Sequence, residues 1–149
     1  MRPGKILLRC AALCASLTTA EIAHAASLDV HITNLRPTET VHVTVFKDAL
    51  TWAEKREPVA TRVVAARDVS QTVRIDDLPP GRYAVRVHQD PNPGGICEPP
   101  SFAVARHGSS RSISSFGMPA SFDRAAIEIG DDGADVSIRL FKSSRFLKE

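Results

Sequence analysis

Apolar side chains recur at every second position in several short stretches of this chain, a period that belongs to strands with one face buried. In Ser27-Leu-Asp-Val-His-Ile-Thr33, Leu28, Val30 and Ile32 point one way and Asp29, His31 and Thr33 the other. Val41, Val43 and Val45 repeat the pattern, with His42 on the outer side. His31 and His42 therefore fall on outward faces, where they could be cross-strand neighbours, and are expected as solvated strand histidines rather than as a metal pair. Residues 60–66 and 69–75 read as two further strands, the second placing Val69, Gln71, Val73 and Ile75 on one face, where Gln71 is out of character. Tyr83, Val85 and Val87 point inward along the next strand, and Arg82, Arg86 and His88 outward. Residues 125–129 form a short strand, and Val136, Ile138 and Leu140 line the last one.

Turn chemistry separates these runs. Asp48 can cap a short helical turn through Trp52, which Pro58 stops. Trp52 is expected to close one end of the fold, the alternative being an exposed platform for stacking a sugar. Asp76-Asp-Leu-Pro-Pro-Gly81 is a tight turn in which Gly81 supplies any positive φ required. Gly130-Asp-Asp-Gly133 is another. Residues 89–111 lack periodicity and hold Pro91, Pro93, Pro99, Pro100, Gly94, Gly95 and Gly108, so they read as one long loop. Ser109, Ser110, Ser112, Ser114 and Ser115 with Arg111 read as a flexible continuation. About seven short strands and no long helix predict an all-β chain: a single antiparallel β-sandwich of immunoglobulin-like or prealbumin-like type, with one long loop.

The N-terminus reads differently. Arg2 and Lys5 precede an apolar stretch from Ile6 to Leu17, and Ala23-His-Ala25 is a small-x-small cleavage site. That is the pattern of a secretory signal peptide. Arg9 and Leu13 precede Cys10 and Cys14, so neither cysteine stands in a lipid-attachment context. The expected organisation is a signal peptide over 1–25, a sandwich domain over 26–142 and a flexible tail over 143–149, in a secreted or periplasmic protein. The apolar stretch is shorter than the roughly 20 residues of a membrane span. The full chain has 19 Lys+Arg and 17 Asp+Glu. Loss of the leader takes three of the former and one of the latter, leaving a balanced domain without the basic stripe that nucleic-acid binding needs. Cys97 would then be the sole cysteine, so no intramolecular disulfide is expected.

Leu78-Pro-Pro-Gly-Arg-Tyr-Ala-Val85, His88 with Asp90, and Phe116-Gly-Met-Pro-Ala-Ser-Phe-Asp-Arg-Ala125 resemble the secreted bacterial family called domain of unknown function 2141. The resemblance spans nearly the whole domain and implies its fold and compartment, not an activity. In that family the loop after the strand runs His-Asp-x-Asn-x-Asn-Gly with a later acidic residue, similar to the start of a calcium loop. Here the segment is His88-Gln-Asp-Pro-Asn-Pro-Gly-Gly-Ile-Cys-Glu98. The resemblance makes Asp90, Asn92 and Glu98 the candidate metal ligands, but Gly94 stands where a second asparagine is expected. The plainer reading is an Asx turn and no cofactor.

Phe116 and Phe122 are expected to pin the returning loop, with Asp123 capping a short turn. Cys97 lies nine residues from His88 and ten from His107 with nothing to orient a nucleophile, and no phosphate loop, zinc spacing or Gly-x-Ser-x-Gly elbow is present. No catalytic residue is assigned. The sequence points to a non-enzymatic binding or accessory module of the cell envelope with an unknown partner. Tyr83, His88, Asp90, Phe116 and Phe122 would form the contact if partly exposed. The alternative is a small metal-binding or cysteine-dependent enzyme, favoured if His88, Asp90, Cys97 and Glu98 converge.

Overall fold

The computed structural model describes residues 25–91, 106–111 and 120–142. The chain is mostly β and forms two sheets. Their strands are β1 (Ala26–Thr33), β2 (Thr40–Phe46), β3 (Ala60–Ala65), β4 (Ser70–Leu78), β5 (Gly81–Asp90), β6 (Arg106–Ser109), β7 (Ile127–Ile129), β8 (Ala134–Arg139) and β9 (Phe141–Lys142). Two short helices interrupt them, α1 (Ala49–Glu54) and α2 (Phe122–Ala125). The described residues thus hold nine strands where about seven were expected.

Sheet one has the order β4-β1-β8, and sheet two the order β3-β2-β5-β6-β9, with β7 on the first residues of β5. All pairings are antiparallel except β1 with β8, which run parallel with Leu28 opposite Ala134 and Thr33 opposite Arg139. Sheet one is therefore mixed, which corrects the expectation of a purely antiparallel fold. A parallel pair needs a long connection, and here nearly the whole domain supplies it.

Period two decides which side chains are buried. Leu28, Val30 and Ile32 of β1, Val41, Val43 and Val45 of β2, Val73 and Ile75 of β4, Val85 and Val87 of β5, and Val136 and Ile138 of β8 join one hydrophobic cluster drawn from both sheets. At about 25 cal/mol for each Å² of apolar surface removed from water, this cluster is the main stabilising element. A second cluster at one end joins Phe46, Trp52, Ala84, Phe122, Ala125 and Ala126. The only tryptophan of the chain packs edge-on against Phe46, with ring centroids 5.6 Å apart, and its indole N–H donates to the Ala120 carbonyl at 2.8 Å. Trp52 is only 3% exposed, so it is no platform for a sugar.

Several local readings are revised. Asp48 does cap α1, accepting from the Leu50 and Thr51 amides at 3.0 and 2.9 Å. The helix ends at Lys55, which turns left-handed at φ 55°, three residues before Pro58. Asp77, near the end of β4, is left-handed at φ 62°, inside a bulge where the register slips between Ala26–Leu78 and Leu28–Ile75, and Gly81 takes the expected positive φ, at 156°. Gln71 is explained: its side-chain carbonyl accepts from the Arg67 amide at 3.0 Å and closes the β3–β4 turn. Asp123 does not cap α2, whose N-cap is Ser121; it lies in the first turn and pairs with Arg82 at 3.5 Å.

Part of the supposed loop is strand. Arg106–Ser109 pairs with β5, and Gly108 faces inward. A Cβ there would lie 2.7 Å from Ile138 and 2.8 Å from the Arg139 carbonyl, so only glycine lets β6 approach β8 this closely. Ser110 is fully buried rather than flexible. Its hydroxyl accepts from the Val85 amide at 2.9 Å and donates to the Ala125 carbonyl at 2.6 Å, tying β5 to α2.

Candidate functional site

The outward residues of β2, β5 and β6 fall into two registered rows on sheet two. His42 stands opposite His88, and His88 opposite His107. One step along the strands, Thr44 stands opposite Arg86, and Arg86 opposite Ser109. The alternation that drives Val43, Val45, Val85 and Val87 inward turns these six polar residues to the same outer face. All six are half-buried.

The imidazoles of His42 and His88 stack face to face, with centroids 4.4 Å apart and planes 6° from parallel. Burial and the neighbouring His42 push the His88 pKa down from 6.5 to about 4, while the field of Asp90 acts the other way. His107 is lowered too, by burial and then by the charges of Lys55 and Arg86. Both rings are thus held as neutral donors and acceptors near neutral pH. From the sequence His42 could have stood beside His31, but β1 and β2 belong to different sheets. Nothing in either strand's local pattern specifies which strand it pairs with.

Arg86 lies over Trp52, with its guanidinium carbon 4.2 Å from the ring centroid and 5.7 Å from that of Phe46. One terminal nitrogen, Nη2, donates weakly to the Trp52 carbonyl at 3.4 Å. The other, Nη1, is enclosed and has no hydrogen-bond partner. Burial presses the pKa of Arg86 below its ordinary value. No carboxylate forms an ion pair with it among the described residues.

The candidates read from the sequence are dispersed. His88 lies in the row just described. Asp90 is buried at the end of β5, opposite Thr40. Tyr83 is 1% exposed, and its hydroxyl donates inward to the Pro79 carbonyl at 2.6 Å. Phe122 is 8% exposed, within the Trp52 cluster. Tyr83 and Phe122 are therefore core residues in this conformation, not contact surface. Asn92, Cys97, Glu98 and Phe116 lie outside the described residues. Sequence reasoning missed Arg86 and His107 as site residues. The signal available was the outward position of Arg86 between two inward valines; the register that brings His107 alongside was not visible.

Other chemistry lies on sheet one. The His31 ring contacts the Thr72 hydroxyl through Nδ1 at 2.7 Å and an Asp135 carboxylate oxygen through Nε2 at 3.1 Å. Hydroxyl, imidazole and carboxylate in a line is the order of a nucleophile, its base and an orienting acid. Here the side chains of His31 and Asp135 are 45% and 73% exposed, so the relay lacks the water-excluded setting in which such groups gain catalytic leverage. Open clefts of about 440 and 340 Å³ lie along β4, lined by residues such as Val64, Arg67, Gln71 and Thr72. Neither reaches the histidine rows.

Among the described residues no three His, Cys, Asp or Glu side chains converge to hold a metal ion. The parallel stacking of His42 and His88 aims their ring nitrogens side by side rather than at a common point. No helix among the described residues is long and apolar enough to cross a membrane.

Residues 30–137 match the family described as uncharacterized protein conserved in bacteria (DUF2141). No curated protein and no solved structure matches the chain.

Proposed function

Because this chain belongs to that uncharacterized bacterial family, its own site has to carry the functional reading, and we propose an exported, non-enzymatic binding or accessory module of the cell envelope. Its two sheets act as a β-sandwich, and the outer face of sheet two is the contact surface. The observation that carries this reading is the pair of registered rows, His42–His88–His107 and Thr44–Arg86–Ser109. Six half-buried polar side chains on one sheet face, including an arginine without a carboxylate partner among the described residues, are costly to arrange for stability alone. Binding chemistry concentrates in such partly desolvated polar groups on a rigid scaffold. Export rests on Arg2, Lys5, the apolar stretch after them and Ala23-His-Ala25.

The test uses a photo-crosslinking residue in place of exposed Val63, which stands opposite His42 on β3, or in place of exposed Asp135 on sheet one. In envelope preparations the Val63 position gives discrete adducts and the Asp135 position does not. Adducts from Asp135 alone, or from neither, would refute the assignment. Mass spectrometry of the same material reads the mature N-terminus, expected at Ala26.

A further inference from the structure

We infer that the face of sheet two binds an oxyanion, a carboxylate or phosphate group, seated on Arg86 and flanked by the imidazoles of His88 and His107. The inference rests on the binding-module reading above and names its ligand chemistry. Among the described residues Nη1 of Arg86 and Nε of Arg106 are the enclosed side-chain nitrogens without a hydrogen-bond partner, and such unsatisfied donors are rare in folded proteins. The Arg86 fork offers paired N–H donors whose geometry matches the two oxygens of a carboxylate or phosphate. Contact with the Trp52 ring holds the guanidinium in place and limits the freedom lost when a ligand binds. Thr44 on β2 and Ser109 on β6 stand beside it in register, and the neutral imidazoles of His88 and His107 in the adjacent row present further donors.

The field at His107 is positive. The charge of Arg86 depresses both His88 and His107, and that of Lys55 depresses His107. Asp90, two residues beyond His88 on β5, is the opposing charge at His88 and acts there more strongly than Arg86. The cationic side of the face, at Arg86 and His107, repels a metal cation and attracts an anion.

The decisive experiment titrates the mature protein with sodium phosphate and, separately, sodium citrate at fixed ionic strength. The ring resonances of His88 and His107 and the melting temperature are followed. At least one oxyanion shifts both resonances saturably and raises the melting temperature; the one that saturates at lower concentration identifies the source of the group. Arg86→Gln weakens binding at least tenfold, as expected for the loss of a charge-assisted pair. Arg86→Lys retains weaker binding, and Arg67→Gln, in the β3–β4 turn, leaves it unchanged. Because Arg86→Gln disturbs the packing on Trp52, Thr44→Glu is the second variant. It places a carboxylate in the row beside Arg86, and it raises the melting temperature while abolishing anion binding. No saturable shift with either salt, or unchanged binding in Thr44→Glu, overturns the inference. If Val63 crosslinks persist in that case, the face binds a ligand of another chemistry and the module reading stands.

Discussion

His88 holds its proton poorly because its ring is partly buried and lies against another imidazole, and this couples folding to pH. Its pKa is about 4 in the folded chain against an ordinary 6.5, so between those values the unfolded state binds the extra proton. Stability from this residue is fully present above about pH 6.5 and is lost progressively as pH falls towards 4. The loss comes to about 2 kcal/mol after a discount for the ring's residual exposure. Denaturant midpoints measured across that window should fall with acidity, and His88→Gln should flatten the slope. An unchanged slope in the variant would place the titration elsewhere. That this histidine faces outward was legible from the inward Tyr83, Val85 and Val87 that precede it. Its neighbours were not, because His42 and His107 reach it through register between strands far apart in sequence.

At the scale of elements, strong local alternation made β1, β2, β5 and β8 legible, since burying one face requires it. β6 was hidden. Its four residues, Arg106–Ser109, put Arg106 and Gly108 on the inner side, and neither contributes an apolar side chain to a pattern, Gly108 having no side chain at all. The same missing side chain is what the strand needs. Gly108→Ala forces a Cβ against Ile138 and the Arg139 carbonyl, and the contact involves backbone that cannot swing aside. The expected cost is about 1–3 kcal/mol, with hydrogen exchange accelerating first in β6 and β9. Exchange unchanged in those strands would show that the close approach is not needed. Gly133→Ala is a useful comparison, because Gly133 has φ 88° and a Cβ there would meet the Ser27 carbonyl at 2.4 Å.

For the whole molecule, one hydrophobic cluster fed by both sheets predicts a single unfolding transition. The sole tryptophan lies in the other cluster, with Phe46 and Phe122, and so reports on the far end of the fold. Its fluorescence and the far-ultraviolet circular dichroism should change at one denaturant concentration. Ile32→Ala, in sheet one, should move both curves together by about 2–5 kcal/mol. Separated curves would mean that the two clusters melt independently. The fold class was readable because it depends only on how many strands alternate. The mixed order of sheet one was not, because no local feature of β1 announces a partner more than a hundred residues away.

That parallel pairing has a consequence for how the molecule is made. β1 lies between β4 and β8, and just beyond β8 the Leu140 amide donates to the Thr33 carbonyl at 3.0 Å before the chain passes to sheet two as β9. A chain synthesised from its N-terminus therefore carries β1 half-paired, with one hydrogen-bonding edge open, until β8 emerges. Closure falls to the C-terminal segment: it works as a clasp, and a chain interrupted before Ala134 would be left with that first edge free to pair with whatever strand it meets.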